Sequence, residues 1–507
     1  MSPTPTYLTK KAALTFSSQL LANGASLISG ILFTPLIVNG LGRELYGTWG
    51  MIQQSMGYLG LSNFNAMTTL KLTLAIRQHS QDISQKRRII GSAIRQWLIF
   101  LPIMILMGLG MVYYVPALFK LSPLHETDIR WTLLIMAVSV PLGQLLALPA
   151  AVLRAQNLEY KAMGLNAFMV FLAGGLNVLG VMAGYGLVVL AVTTFLGMIL
   201  VNGARVVIAR KNIDWFGQER PTRQEFLSFF RLSGLAFLTV LSGMLFTSMD
   251  AILIGLLLGP ETVTVYLMTG ALVRFVSTPV QQLLSSGNAG IAHLIAAREW
   301  VRVEALRIEQ HQTAFLILTV LGVTVILLNP AFISIWVGEK LYGGYWLSLA
   351  VVLLAFARQF VTMDRIPLDN VLRLGHTLIL QLICGSMAIF LAYMLTPRWG
   401  AMAVPFCLTM GYAFVWVGLQ VLIHRFTVIS FRRYVQAMTG CVLCSVMFLL
   451  SAWFVLPLPI FHCGSWMALL FTGGITALVS GAAFFWLCLS SAVRCTLLDR
   501  GRSLLNP

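Results

Sequence analysis

The chain has 507 residues, 58% of them hydrophobic and 10% charged, with a formal net charge of +17 and a mean hydropathy of +0.84. That balance excludes a sizeable soluble domain, and the longest polar connections, roughly residues 210–229 and 285–312, cannot host a catalytic or receptor domain. So much positive charge would suggest nucleic acid in a soluble protein; here it lies in loops between apolar runs, so it argues for anionic membrane lipids as partners and against nucleic acid.

Fourteen apolar stretches follow in order, at roughly 12–39, 46–66, 90–115, 131–152, 160–182, 187–208, 232–258, 262–284, 313–328, 346–364, 377–395, 400–424, 434–456 and 467–489. Most reach the ~20 residues that a bilayer-spanning helix needs, so the predicted fold class is an all-α polytopic membrane protein. The first stretch is too long for a signal peptide and lacks a small-residue cleavage site, so it counts as a mature span. With the N-terminus assigned to the cytoplasm, 27 of the 34 basic residues fall on the cytoplasmic side, 5 outside and 2 near mid-membrane. That bias predicts a cytoplasmic (inner) membrane protein with both termini cytoplasmic. The run Lys86-Arg87-Arg88 reads as a solvated membrane anchor.

Ser62-Asn63-Phe64-Asn65 near the inner end of span two marks a break in that helix. Residues 68–83 and 289–308 mix charge with apolar residues and read as amphipathic surface helices. Thr222 and Glu225 have capping-box spacing and should start the helix after the polar connection 211–225. Cys441 and Cys444 have CxxC spacing, but on a lipid-embedded helix without a second pair or a nearby histidine, so the seven cysteines read as small packers.

Three short matches recur down the chain. Gly30-Ile31-Leu32-Phe33-Thr34 returns as Gly243-Met244-Leu245-Phe246-Thr247, an offset of 213; Leu41-Gly42-Arg43-Glu44 with Trp49 returns as Leu258-Gly259-Pro260-Glu261 with Tyr266, an offset of 217. Tyr185-Gly186 with Gly197 returns as Trp399-Gly400 with Gly411, an offset of 214. They pair spans one with seven, two with eight and six with twelve. The expected organisation is a six-helix bundle over 1–210, a cytoplasmic linker over 211–225, a second six-helix bundle over 226–425, and two additional helices with a cytoplasmic tail over 426–507. Halves of six spans each are parallel repeats with a cavity between them.

Ionisable residues inside spans cost about 2.5–3.5 kcal/mol on insertion scales and need a reason. Asp250 and Arg274 flank the external turn at Gly259-Pro260 and should lie within about a helical turn in depth; Arg358 lies near mid-membrane. Asp250 with Arg274 suits either an ion pair tying helices together or a polar cavity wall in which the guanidinium fork meets phosphate oxygens. Arg358 suits the cavity, or snorkelling beside Asp364 and Arg365. These three are the candidate substrate-binding residues. The first half carries amides and hydroxyls such as Gln144, Asn166 and Asn177, suited to helix–helix hydrogen bonds or to sugar hydroxyls. Asp369 and Arg373 have the i, i+4 spacing of a surface salt bridge. A histidine cluster, paired carboxylates and a GxxxxGK[ST] loop are missing from the sequence, so no catalysis, cofactor or metal site is expected.

The chain resembles the polysaccharide-transporter family, the lipid-linked oligosaccharide flippases of the superfamily that also holds the multidrug extruders. The resemblance rests on Lys10-Lys11 before span one, on Leu41-Gly42-Arg43-Glu44-Leu45-Tyr46-Gly47-Thr48-Trp49, on Leu153-Arg154-Ala155-Gln156-Asn157 after span four, on Asp250 to Gly259 with Tyr266, and on the 6 + 6 + 2 layout. In that family an aspartate often precedes a glycine-containing segment after span two; Asn63 holds the place here and no glycine follows at once. The resemblance implies a non-enzymatic flippase that moves undecaprenyl-pyrophosphate-linked oligosaccharide by alternating access for cell-surface polysaccharide such as lipopolysaccharide O-antigen. It implies Arg274 and Arg358 as contacts for pyrophosphate or acidic sugars, and polysaccharide polymerase and chain-length enzymes as candidate partners. The alternative is an ion-coupled multidrug or small-molecule exporter of the same superfamily.

Overall fold

The computed structural model describes residues 5–78, 80–119, 125–285, 288–370, 374–427, 429–490, 493–496 and 498–499, the first sixteen by backbone alone. The Asp369–Arg373 pair lies outside the described side chains. Two compact units divide the chain, 1–264 and 265–507. The first contains α1 (Pro5–Leu61), α2 (Ala66–Ile76), α3 (Ile83–Leu118), α4 (Glu126–Leu146), α5 (Leu148–Ala155), α6 (Tyr160–Met182), α7 (Val188–Asn212), α8 (Arg223–Thr247), α9 (Asp250–Leu258) and the start of α10 (Pro260–Thr269). The second contains α11 (Ala271–Ser285), α12 (Asn288–Ala296), α13 (Trp300–Trp336), α14 (Tyr345–Asn370), α15 (Leu374–Trp399), α16 (Ala403–Phe426), α17 (Phe431–Val455) and α18 (Trp466–Leu487).

Eleven helices among the described residues are long and apolar enough to cross a membrane, and twelve when α10 and α11, bent by 50° at Gly270, count as one span. Two of the eleven, 21–61 and 375–426, are 41 and 52 residues long. At 1.5 Å per residue each is at least about twice the ~30 Å hydrocarbon core, so each holds two of the predicted stretches. Left-handed glycines divide them: Gly42 has φ 81° and ψ 172° inside α1, and Gly400 has φ 68°. Each has a counterpart at its repeat position. Gly259 has φ 89° and ψ 165°, and Gly186 has φ 54°, so two of the three matches share a backbone conformation that disfavours any residue with a Cβ.

Other residues of those motifs act through close packing. A Cβ on Gly47 would collide with the Pro260 carbonyl oxygen, and Thr264 Oγ1 donates to the Arg43 carbonyl at 2.5 Å. Span two is thereby held against α9 and α10. Gly47→Ala is expected to cost about 1–3 kcal/mol, because a backbone carbonyl must move to admit one methyl. Gly110→Ala, where the new methyl meets nothing within 4 Å, should stabilise slightly by helix propensity; comparing the two melting temperatures checks both. Gly174 likewise closes on Phe33, which brings α6 onto the first arm of α1.

At the end of span two the helix breaks as the sequence predicts, with turns at 62–65. Asn65 there has φ 53° and ψ 38°, so asparagine, the commonest non-glycine resident of that region, supplies the conformation that glycine would. Phe64 is also left-handed at φ 49°. Stacking offsets that strain: its ring lies 4.6 Å from Phe100 and 4.5 Å from Phe237, pairs that contribute about 0.5–1.5 kcal/mol each beyond burial. Beyond the break, α2 turns Ala66, Leu70 and Leu74 into a core shared with α3, α5 and α7.

The connection 211–225 does not float. Thr222 and Glu225 form the predicted capping box, and α8 starts at Arg223. The run Lys86-Arg87-Arg88 receives this connection rather than acting as a solvated anchor. Lys86 is buried, donates to the Gln78 carbonyl at 3.0 Å and lies 5.2 Å over the Trp215 ring. Arg87 Nε donates to the Trp215 carbonyl at 3.1 Å, and Arg88 pairs with Glu225 at 2.9 Å. Three cations in a row are tolerated at a helix start because each finds a partner: Lys86 the Gln78 carbonyl and the Trp215 ring, Arg87 and Arg88 acceptors in 211–225.

Candidate functional site

Spans seven and eight are both broken, and two of the predicted site residues sit at the breaks. Span seven is interrupted at Ser248 and Met249, and Asp250 opens α9, accepting at 2.8 Å from the Ala251 amide. A carboxylate at a helix start faces the positive end of the peptide dipoles. Span eight bends at Gly270, and Arg274 folds back over the bend so that its guanidinium donates to the Leu267 carbonyl. Glycine makes this possible, since a Cβ at 270 would stand 2.7 Å from Arg274 Nη1.

The second carbonyl near the bend is also satisfied. Asn329 of α13 is fully buried and donates to the Thr269 carbonyl at 3.0 Å and to Ser348 Oγ at 2.9 Å. Thr269 Oγ1 in turn accepts from the Gly343 amide at 2.8 Å. Freed backbone groups in a span cost several kcal/mol unless paired, so this is a built break. Arg274 remains an exposed side chain with its fork only partly used. Arg358 is exposed on α14, which packs on α11, and its side chain has no hydrogen bond or ion pair among the described residues. The carboxylate of Asp364, six residues on, is committed to other partners.

Asp364 is the centre of a polar network that the sequence did not disclose. It is fully buried, as are Arg307 at 2% and His311 at 1% exposure on α13 and Gln420 at 4% on α16. Arg307 Nε donates to Asp364 Oδ1 at 2.8 Å and Nη2 donates to Gln420 Oε1 at 2.6 Å. Gln420 Nε2 and Trp416 Nε1 donate to Asp364 Oδ2 at 2.6 and 2.7 Å. His311 Nε2 approaches Oδ1 at 3.1 Å, while its Nδ1 donates to the Arg307 carbonyl at 2.8 Å. The Arg307 guanidinium also lies 3.9 Å over the Tyr434 ring. One carboxylate thus joins α13, α14 and α16, with α17 closing the face. Arg307 lies in the first turns of α13, the helix whose apolar window is the most buried among the described spans.

The amides of the first half mostly link helices. Gln144 donates to the Gly60 carbonyl at 3.0 Å and Gln96 to the Asn63 carbonyl at 2.9 Å. Thr193 donates to Asn177, and Arg205 to Asn166 at 3.4 Å.

No family model matches the sequence, and comparison with curated proteins finds no sequence match. Solved structures do match. A multidrug resistance MATE family transporter of the MOP superfamily, inward-facing, aligns with TM-score 0.63 at 16% identity over 80% of this chain and 94% of its own. The lipid II flippase MurJ, inward closed, aligns with TM-score 0.63 at 14% identity over 94% of this chain and 99% of its own. The chain has the fold of these MOP superfamily transporters. A further MOP superfamily transporter, from Pyrococcus furiosus, for which reverse polarity of the binding pocket suggests a different function, aligns with TM-score 0.53 at 15% identity over 83% of this chain and 94% of its own. At such identities the likeness to the MATE and MurJ structures concerns architecture, and substrate has to be argued from residues.

Proposed function

We propose that the protein is a flippase that exports polyprenyl-pyrophosphate-linked oligosaccharide across the cytoplasmic membrane by alternating access, with both termini cytoplasmic. The observation that carries this reading is the pair of exposed guanidinium groups inside spans, Arg274 at the Gly270 break and Arg358 on α14. An arginine left exposed at membrane depth is costly, and a fork of donors that stays charged at any working pH suits pyrophosphate. A broken span whose carbonyls are capped supplies a rigid base for that fork. Likeness to a lipid II flippase over 94% of the chain agrees with a lipid-linked substrate, whereas exposed cations are ill suited to the cationic amphiphiles of a multidrug extruder. Two parallel six-helix halves, 1–210 and 226–425, joined by 211–225 and followed by two further helices, would provide the alternating cavity, with Asp250 as a polar group of its wall. Polymerase and chain-length enzymes are the partners such a protein would serve.

Cells lacking the protein should accumulate lipid-linked oligosaccharide on the inner leaflet, and wild type should clear it. No accumulation would shift the reading to export of a small molecule.

A further inference from the structure

Unit one contains a cleft of about 370 Å³ between α2, α3 and α8, next to the Lys86-Arg87-Arg88 run. Its polar lining includes Arg77, Gln85, Gln224, Glu225 and Ser228. The neighbouring cations are committed: Lys86 to a carbonyl and the Trp215 ring, Arg87 to Trp215 and Glu219, Arg88 to Glu225. Arg77 is not. Neither its guanidinium nor the side chains of Gln85, Gln224 and Ser228 have a hydrogen bond or ion pair among the described residues. The acids close by are already occupied. Glu225 accepts from Arg88 at 2.9 Å and from the Thr222 amide and hydroxyl, each at 2.9 Å; Asp82 accepts from the Gln85 amide at 2.7 Å.

We propose that this cleft binds the phosphate of an anionic ligand, with Arg77 as its charge partner and Gln85, Gln224 and Ser228 as neutral donors. One arginine with unused donors, surrounded by amides and a hydroxyl in a pocket of this size, matches a singly charged phosphodiester, whose oxygens accept several hydrogen bonds at once. The source favoured by the fold is a phospholipid headgroup. Arg77 caps α2, on which Leu72 is 47% and Ile76 83% exposed on the side away from the core. A headgroup in the cleft would leave its acyl chains against that apolar strip. Because α8 also walls the cleft, an occupant would tie α8 to α2 and α3. The inference is independent of which substrate is transported.

The test uses the full-length purified protein in neutral detergent, its melting temperature followed against added short-chain phosphatidylglycerol, phosphatidylcholine or inorganic phosphate. Phosphatidylglycerol should raise the melting temperature saturably. Arg77→Gln should weaken the midpoint concentration about fivefold to tenfold, Ser228→Trp should do the same by filling the cleft, and Arg302→Gln, which removes an equal charge from an exposed pair with Glu299 at 2.7 Å, should leave it unchanged. A saturable, Arg77-dependent response to inorganic phosphate with none to lipid would keep the phosphate site and assign it to a soluble ligand. A wild-type response that Arg77→Gln and Ser228→Trp both leave intact, or no response to either probe, overturns the proposal.

Discussion

Arg307→Ala is expected to lower stability by about 3–5 kcal/mol, because it leaves Asp364 buried without its main counter-charge. Gln420 and Trp416 would still donate to Oδ2, but the Oδ1 side loses its closest donor, and Gln420 Oε1 loses its bond at 2.6 Å. Arg307→Lys should fall between the alanine variant and wild type. A single ammonium cannot reach Asp364 and Gln420 with the spacing of a guanidinium, nor lie flat on the Tyr434 ring. The double change Arg307→Met with Asp364→Leu should recover much of the loss, since a buried ion pair replaced by apolar residues of similar volume is often neutral. Melting temperatures of the purified proteins in one detergent decide this. If Arg307→Ala melts with wild type, the network does not hold α13, α14 and α16 together.

That network also marks where the sequence stops being legible. The helices themselves were plain, because apolar runs of bilayer length have few alternatives and because their ends carry local signals: the Thr222–Glu225 box, the glycines at 42, 186, 259 and 400, and the interruption at 62–65 all depend on residues within a few positions of one another. Arg307 depends on Asp364, 57 residues away, and on Gln420, 113 away. Hydropathy placed the start of span nine near residue 313 and read 289–308 as a separate amphipathic surface helix, whereas α13 runs unbroken from Trp300, so its first polar turns looked solvated. A signal was present: Glu304, Arg307 and His311 fall at i, i+3 and i+7, continuing the stripe of Phe315 and Leu318, all of them buried. A polar stripe in register with an apolar one implies burial with a partner, not solvation. Gly47 shows the same divide on a smaller scale. Its motif was visible in the sequence, but its cause is the Pro260 carbonyl on another helix.

The largest functional effect is expected at Arg274. If its free donors hold pyrophosphate, Arg274→Ala loses a charge-assisted hydrogen bond of about 1.5–3 kcal/mol, roughly a tenfold to hundredfold loss of transport. Insertion should not suffer, since removing a cation from mid-span relieves about 2.5–3.5 kcal/mol on insertion scales. Arg358→Ala should act in the same direction. Charge alone is not the claim for Arg274, however, because the guanidinium is pinned by the Leu267 carbonyl across a glycine. Gly270→Ala places a methyl 2.7 Å from Nη1 and should displace the fork while keeping its charge. Transport of lipid-linked oligosaccharide should therefore fall in Gly270→Ala as well, and Arg274→Lys, which restores charge without the fork, should rescue only partly. Full activity in Gly270→Ala with loss in Arg274→Ala would mean that positive charge at this depth suffices. Full activity in both arginine variants would remove the residues on which the flippase reading stands.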